Sequence, residues 1–446
     1  MNTATTIVAP ATPHGIGGIA VIRISGPQSR NIALKLCGKT LMNRVATHII
    51  INDLRGAPID RGVATFFSNP ASYTGEDVLE VSCHGNPVLV QKVVSACIAA
   101  GAVLAEPGEF TRRAFIHGKM DLIQAESVGA LIQSQSEESA KLNLSLLDGV
   151  LSNKFISIRN TLIEQLSRVE FELDISEEDL QPELLRWLRK SVEATTNALN
   201  ELLGSYARGR LLTQGAQVVL VGKPNVGKST LLNRLVGFDR AITSPDPGTT
   251  RDAIDVSVVL DGVTIRFVDT AGLRPSASDV EKEGISRSYN YAEKSDCVVL
   301  VVDSVNDHEP NGGYWLPSAS FTIFNKTDLL SPENIKTLRK ANPDWIFISA
   351  LNGNGIEDLQ NKIKDFLGVN RSLADTVALT TARQTASVKK ALLALRAARS
   401  LLGDAPQYEL VAQEIRESID ALDKILGKTT PDDILNNIFG SFCVGK

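Results

Sequence analysis

A glycine-rich loop between a short apolar strand and a helix has the composition of a phosphate-binding loop. It runs from Gly222 to Ser229 in the pattern Gly-x4-Gly-Lys-Ser and follows the apolar run Val218–Val221. Glycines let backbone N–H groups wrap around phosphates, and the helix N-terminus adds a favourable dipole field. We expect Lys228 to reach the β- and γ-phosphates and Ser229 to offer its hydroxyl to Mg²⁺. The pattern predicts a nucleoside triphosphate site.

Further polar residues that could bind Mg²⁺ and the γ-phosphate follow this loop along the chain. The Thr250 hydroxyl is expected to bind Mg²⁺ in the triphosphate state, and Asp269 to hold the ion through water. The N–H of Gly272 can sense the γ-phosphate. Leu273 stands where Ras-like proteins have glutamine, so another group must position the attacking water.

The segment Asn325-Lys326-Thr327-Asp328 indicates that the base is guanine. The Asp328 carboxylate can accept hydrogen bonds from N1–H and the 2-amino group, a donor pair that adenine lacks. Ser349 and Ala350 end a later strand, where a backbone N–H can reach the guanine O6. This set favours GTP over ATP.

The elements around these motifs change character along the chain. Residues 1–118 are rich in glycine, proline and β-branched residues and predict an α+β domain, with strands at Gly18–Ile24, Gly62–Phe67 and Asp77–Ser82. Residues 119–210 and 378–446 have helical spacing, and residues 211–377 alternate strands with helices. The predicted fold is an α+β N-terminal domain and a discontinuous α-helical domain with an inserted α/β P-loop GTPase (Ras-like) domain, whose sheet should be parallel.

Composition limits the classes of protein. The 446 residues carry a net charge of −5, which argues against binding nucleic acid through the overall field. The N-terminus lacks a secretory signal and no apolar stretch is long enough to span a bilayer, so we expect a cytoplasmic protein without a membrane partner. Arg112, Arg113, Lys389 and Lys390 could contact RNA, although solubilising surface charges are the simpler interpretation.

The five cysteines are scattered and predict neither disulfides nor a zinc site. Cys37, Cys97 and Cys297 lie among apolar residues and should be small core residues. For Cys443, an inert terminus and a functional thiol both remain open, whereas the tail fits a prenylation signal poorly.

The loop Gly-Lys-Pro-Asn-Val-Gly-Lys-Ser, together with Pro-Gly-Thr-Thr-Arg-Asp, resembles the TrmE–Era–Der class of bacterial GTPases. Within that class the whole chain resembles the MnmE (TrmE) family of tRNA-modifying GTPases. The additional segments are Tyr73–Asp77, His84-Gly85, Pro107–Phe115 and the ending Phe442–Lys446.

This resemblance implies how hydrolysis is catalysed. Asn225, Ser244, Asp246 and Thr249 would ligate K⁺, in the role of an arginine finger, when two GTPase domains of a homodimer meet. Glu281 would be the general base, acting through a bridging water, although a solvated acid at a helix start is an equally simple interpretation without the family. The expected GTP-binding residues are Asn225, Val226, Gly227, Lys228, Ser229, Thr230, Ser244, Thr249, Thr250, Asp269, Gly272, Asn325, Lys326, Asp328, Ser349 and Ala350.

The resemblance also implies a second site. Arg23, Glu80 and Lys119 match folate-contacting positions, which would take 5-formyl- or 5,10-methylene-tetrahydrofolate, and Cys443 would be a catalytic thiol nearby. With an FAD-dependent partner, MnmG, the protein would add an aminomethyl or carboxymethylaminomethyl group at C5 of the wobble uridine of tRNA. Two alternatives remain: a ribosome-assembly GTPase resembling Era or Der, and a regulatory GTPase scaffold.

Overall fold

The computed structural model describes residues 5–175, 182–238, 254–269, 293, 295–305, 320–369, 377–403, 406–429 and 431–446. Two compact units divide the chain. The first unit comprises residues 1–129, 146–196 and 387–446, and the second comprises residues 130–145 and 197–386.

A six-stranded sheet forms the centre of the first unit, in the order β3-β4-β5-β2-β1-β6. All neighbouring strands are antiparallel except β1 and β6, which are parallel. Its core contains apolar residues of the strands and of two helices, α1 and α2. The strands are β1 (Ile7–Pro10), β2 (Gly17–Ser25), β3 (Thr47–Asn52), β4 (Pro58–Phe67), β5 (Val78–Gly85) and β6 (Val103–Leu104), and the helices are α1 (Ser29–Cys37) and α2 (Pro87–Ala99). The three predicted strands are present. β2 and β4 are longer than predicted, and β5 begins one residue later and ends three residues later than predicted, whereas β1, β3 and β6 were not predicted.

The helices after the sheet follow the apolar spacing of the sequence. Arg159 on α6 donates to both carboxylate oxygens of Asp423 on α13, at 2.5 and 3.0 Å, and joins these two packed helices. Ile415 and Leu422 are buried on α13, and Leu410 is exposed in the first turn of the helix. The helices are α3 (Glu109–Ile116), α4 (Leu122–Gln133), α5 (Glu137–Leu147), α6 (Val150–Ile175), α7 (Pro182–Gly204), α8 (Tyr206–Gln214), α12 (Ala382–Leu401), α13 (Tyr408–Leu426) and α14 (Asp432–Gly440).

The second unit contains a six-stranded sheet in the order β12-β11-β10-β7-β9-β8. Five strands are parallel, as alternating strands and helices predict. The expectation of an all-parallel sheet is wrong at β8, which pairs antiparallel with β9. Asp261 and Gly262 join these two strands with positive φ angles of 45° and 83°, the conformation of a tight hairpin turn. The elements are β7 (Ala216–Val221), α9 (Lys228–Phe238), β8 (Ile254–Leu260), β9 (Val263–Asp269), β10 (Cys297–Asp303), β11 (Phe321–Asn325), α10 (Pro332–Ala341), β12 (Ile346–Phe347) and α11 (Ile356–Leu367).

None of the helices in the described part of the chain combines the length and the apolar character needed to cross a membrane.

Candidate functional site

The phosphate-binding loop connects the buried strand β7 to α9, as the sequence predicts. Gly222 has a φ of 149°, and a Cβ there would lie 2.3 Å from the Val301 carbonyl oxygen. Asn225 adopts a φ of 62°, which asparagine tolerates better than most residues. A side chain at Gly227 would meet the Asn325 amide at 2.3 Å. Close backbone approach therefore requires glycine at both ends of the loop.

Lys228 is 4% exposed, and its ammonium group lies across the loop. Its Nζ donates to the carbonyl oxygens of Gly222 and Lys223, at 2.8 and 2.9 Å. The Lys228 ammonium group is therefore held within the loop whose backbone N–H groups are expected to bind phosphates. This position fits the predicted role of Lys228.

Ser229 and Asp269 meet beside the loop. Ser229 Oγ donates to Asp269 Oδ2 at 2.8 Å, and the carboxylate, at the end of β9, is fully buried. A hydroxyl and a carboxylate are the hard oxygen ligands that Mg²⁺ takes in phosphate sites. The two side chains therefore fit the ion: Ser229 would bind it directly, and Asp269 would bind it through water.

The Asn325 side chain joins the phosphate side of the site to the base side. Its Nδ2 donates to the Val226 carbonyl at 2.8 Å, and its Oδ1 accepts from the Ala350 N–H at 2.9 Å. Asn325 is 2% exposed, so these bonds satisfy a buried amide. The Ala350 N–H was expected to bind guanine O6. Because Asn325 already accepts from it, binding O6 requires a shared bond or the release of Asn325.

Asp328 is exposed at the same end of the sheet and is oriented by a neighbour. Ser349 Oγ donates to Asp328 Oδ1 at 2.5 Å, and Ser349 is fully buried. The hydrogen bond from the buried Ser349 hydroxyl therefore fixes the orientation of the Asp328 carboxylate. The geometry suits recognition of a planar donor pair such as the one on guanine.

Two side chains that the sequence motifs omit also hold this region. Arg234 on α9 donates from Nε to the Ala350 carbonyl at 3.1 Å and from a terminal nitrogen to the Leu351 carbonyl. Asp303, the last residue of β10, lies 2.7 Å from the Lys326 ammonium. Nothing in the sequence marks Arg234, six residues after Lys228, as part of the site. Asp303 could have been found, because it is a carboxylate at the end of an otherwise apolar strand.

Several predicted residues cannot be placed. Glu281, the proposed base, and Gly272 lie outside the described residues, as do Thr250, Ser244, Asp246 and Thr249. Asn225, within the loop, and Thr230, directly after it, are described and exposed.

The three predicted folate residues lie around one loop of the first unit. Arg23 and Glu80 are paired across β2 and β5, with Arg23 Nε 2.8 Å from Glu80 Oε1. The Arg23 guanidinium also lies 5.1 Å from the centroid of the Tyr73 ring. Lys119 Nζ donates to the Pro70 carbonyl at 3.1 Å, at the start of the same loop. The structure therefore places the two cations beside the segment 70–76 and pairs Glu80 with one of them, Arg23.

Tyr73 contributes a partly buried aromatic surface to this cluster. Burial raises the pKa of its phenol, and a 2.9 Å hydrogen bond to Thr111 Oγ1 and the nearby Arg23 charge oppose this increase. In the sequence, the segment Tyr73–Asp77 stands out only by its resemblance to the family, and no role is predicted for Tyr73. Its ring, like that of Phe110 at 5.7 Å, packs against the Arg23 guanidinium.

The last residues of the chain pack on the same region. The Phe110 N–H donates to the Lys446 carbonyl at 3.1 Å, and Gly445 lies against the Pro10 carbonyl. Cys443, between Phe442 and this turn, is exposed. Phe110 thus contacts both the Arg23 cation and the tail that carries the thiol.

Arg112 and Arg113 are buried, so their interpretation as solubilising charges is wrong. Arg113 bonds to Glu109 at 2.7 Å and to Glu76 at 3.1 Å, and Arg112 donates to Asn436 at 2.7 Å. Helix α3 turns this face inward, where the carboxylates neutralise Arg113. The partner Glu109 is one helical turn from Arg113, but Glu76 and Asn436 lie far from the two arginines along the chain, so the sequence does not show that these cations are buried.

Two family profiles and several curated proteins match this chain. A profile of the MnmE helical domain matches residues 122–443, and one of the GTP-binding protein TrmE N-terminus matches residues 6–119. A protein of Azoarcus sp. (strain BH72) named tRNA modification GTPase MnmE is 41% identical over 99% of this chain and 98% of its own length. A protein of the same name from Nitrosospira multiformis is 38% identical over 100% of both chains.

Among solved structures, the G domain of the T. maritima FeoB iron transporter is 27% identical and covers 34% of this chain and 98% of its own. Its TM-score of 0.25 is too low to support a structural conclusion. The full-length identity and the two profiles are sufficient by themselves: the chain belongs to the MnmE family of tRNA modification GTPases.

Proposed function

We propose that the chain binds GTP at the β7–α9 loop and that hydrolysis drives the modification of the wobble uridine of tRNA. The observation that carries this proposal is the Asn325 amide, which bridges the phosphate loop at Val226 and the base loop at Ala350. One rigid group then sets the spacing between the phosphate cradle and the Asp328 carboxylate. That spacing is what a guanine nucleotide has to match.

Within this site each side chain has a distinct role. Lys228 would bind the β- and γ-phosphates, Ser229 and Thr250 would hold Mg²⁺ directly, and Asp269 would hold it through water. The ion, when bound, neutralises charge that develops on the phosphate oxygens. Gly272 reports the γ-phosphate through its N–H.

Hydrolysis itself is proposed to need a base, a monovalent cation and a second copy of the chain. Glu281 activates the water, and K⁺ binds Asn225, Ser244, Asp246 and Thr249 when two GTPase domains meet. Asn225 supports this proposal because it lies exposed within the phosphate loop, with a positive φ. GTP turnover should rise when K⁺ replaces Na⁺ and should disappear in Glu281→Ala, with GTP binding retained. Unchanged turnover in this variant would remove Glu281 from the mechanism.

We further propose that the cluster around Tyr73 binds a tetrahydrofolate derivative. The Glu80 carboxylate suits the adjacent N–H donors of a pterin, and the cations Arg23 and Lys119 suit the anionic tail of folate. Arg23 occupies Oε1 of Glu80, so the other oxygen, Oε2, is the acceptor for the pterin. Calorimetry with 5-formyl-tetrahydrofolate should give binding to the wild type and not to Glu80→Gln.

The one-carbon unit of the folate and the Cys443 thiol would then act together on uridine C5. A homodimer working in the cytoplasm with the FAD-dependent protein MnmG and tRNA is the proposed assembly. The identity to MnmE proteins over 99% of the chain favours this reading over a ribosome-assembly GTPase. Mass spectrometry of tRNA from a deletion strain should show loss of the wobble modification, restored by the wild type and not by Cys443→Ser.

The base preference can be tested directly with Asp328→Asn. Xanthine has a carbonyl where guanine has its 2-amino group, so an amide donor at position 328 should reverse the preference. We expect the variant to lose most of its GTP turnover and to gain turnover of xanthosine triphosphate. Lys228→Met, as a control, should lose both. A variant that still prefers GTP would show that Asp328 does not read the base.

A further inference from the structure

A buried carboxylate outside the nucleotide motifs lies beside the guanine-reading segment. Asp303 is the last residue of β10, a strand in which all seven residues are buried, and is itself 5% exposed. It lies in register with Asn325, the last residue of the neighbouring strand β11. A carboxylate in such a position is costly unless it is bonded and neutralised. Its partners therefore indicate its role.

Both carboxylate oxygens of Asp303 have partners. Oδ1 accepts from the backbone N–H of Val305 at 2.9 Å, which fixes the orientation of the carboxylate. Oδ2 accepts from the Lys326 ammonium at 2.7 Å. The Ser304 N–H donates to the Asn325 carbonyl at 3.0 Å and ties the two strand ends together. The backbone N–H of Val305 thus orients the Asp303 carboxylate, which in turn binds the Lys326 ammonium.

Lys326 is consequently fixed at both ends. Its backbone has a φ of 66°, in the left-handed region, and its ammonium group is bound to Asp303. A free lysine side chain has four rotatable bonds and would lose this freedom when a nucleotide bound. With the ammonium neutralised, the methylene stem is the part of Lys326 left to face a purine. Along the chain, Lys326 stands between Asn325, which sets the loop spacing, and Asp328, which would read the base.

We infer that Asp303 is a positioning residue for the guanine nucleotide, acting through Lys326. This inference rests on the proposed GTP function of the site. Asp303 holds the lysine stem ready for the base and keeps its ammonium away from the phosphates. Loss of this restraint should weaken nucleotide binding, chiefly through faster release, and leave the chemical step at the phosphates unchanged.

A double-mutant cycle on the full chain tests the inference, with the fluorescent nucleotide mant-GDP as the probe. Asp303→Asn keeps the shape and the acceptor for Val305 but removes the charge. It should raise the Kd of mant-GDP about tenfold, with faster dissociation, because a hydrogen bond to a charged group is lost. The kcat for GTP at saturation should change by less than about twofold. In a Lys326→Met background the same substitution should change the Kd by less than about twofold.

Other results would overturn the inference. An equal loss in both backgrounds would mean that Asp303 does not act through Lys326, and a lower kcat with unchanged Kd would place it in the chemistry. If Asp303→Asn fails to fold, Asp303→Glu shifts the charge by one methylene and should weaken mant-GDP only when Lys326 is present.

The outcome for the wild type separates this inference from the proposed function. A wild type that binds mant-ADP as tightly as mant-GDP would overturn both. If the wild type prefers mant-GDP and Asp303→Asn binds mant-GDP with the same Kd as the wild type, only the role of Asp303 is overturned.

Discussion

Four of the five cysteine thiols are buried, and burial raises the pKa of each. The pKa rises to about 11 for Cys37 and Cys83 and to about 12 for Cys97 and Cys297. Cys443 alone among the five is exposed. Since the thiolate is the reactive form, a raised pKa removes reactivity at every pH well below it.

We therefore expect one fast thiol per native chain in a titration with Ellman's reagent at about pH 8. Raising the pH to about 9 should recruit no second thiol, because the buried groups deprotonate only as the pH approaches their raised pKa values. Cys443→Ser should abolish the fast reaction, and denaturant should release the four slow thiols. A second fast thiol in the native protein would contradict this assignment.

The Arg113 guanidinium is the centre of a buried ionic network. It bonds to Glu109, Glu76 and the Thr5 carbonyl, and all three charged residues are less than 10% exposed. Two carboxylates thus share one cation in a place that water hardly reaches. Removing the cation leaves both carboxylates without their neutralising partner.

Arg113→Met should lower the free energy of unfolding by about 3–5 kcal/mol, as expected when one partner of a buried ion pair is removed. Chemical denaturation followed by circular dichroism measures the change. Arg399→Met, which breaks an exposed pair with Glu193, is the matched control and should cost less than about 1 kcal/mol. Adding Glu76→Gln to Arg113→Met should recover part of the loss. Equal effects of the two arginine variants would show that the network is not what stabilises this region.

At the scale of elements, the short tail depends on one glycine to pack against β1. Gly445 has a φ of 98°, and a Cβ there would lie 2.0 Å from the Pro10 carbonyl oxygen. Any side chain at this position is therefore strained and obstructed. The turn around Gly445 carries Cys443 to the region of Phe110.

Gly445→Ala should displace the tail and abolish the wobble-uridine modification, with GTP turnover unchanged. Mass spectrometry of tRNA and a phosphate-release assay measure the two activities. Gly440→Ala is the control, because a Cβ there meets nothing within 4 Å. Full modification by Gly445→Ala would show that the packed tail is not needed.

The sequence predicted some elements and missed others for physical reasons. The P-loop was found because its glycines and its strand–loop–helix setting are local. β8 was missed, although Asp261-Gly262 is a strong hairpin signal, because the alternating pattern was taken as parallel throughout. Arg112 and Arg113 were misjudged because two of their partners are distant in sequence: Glu76 precedes Arg113 by 37 residues, and Asn436 lies more than 300 residues after Arg112. Pairings of this kind become visible only in the folded chain.

At the scale of the whole molecule, the two units share one chain that passes between them four times. The predicted nucleotide residues that the structure describes all belong to the second unit, and the Arg23 cluster and Cys443 belong to the first. Two compact units need not unfold in a single two-state transition. A ligand that binds one native unit stabilises that unit by mass action.

GDP with Mg²⁺ should therefore raise the melting temperature of one transition in differential scanning calorimetry. At about 100 times the Kd the gain is about 2.7 kcal/mol, or roughly 5–10 °C for a unit of about 200 residues. Lys228→Met, which loses the phosphate contact, should abolish the shift, and Asp328→Asn should show it with xanthosine diphosphate instead. 5-Formyl-tetrahydrofolate should shift the other transition, because Arg23 and Glu80 lie in the first unit. If GDP raised both transitions equally, the units would be energetically coupled and would not unfold as separate bodies.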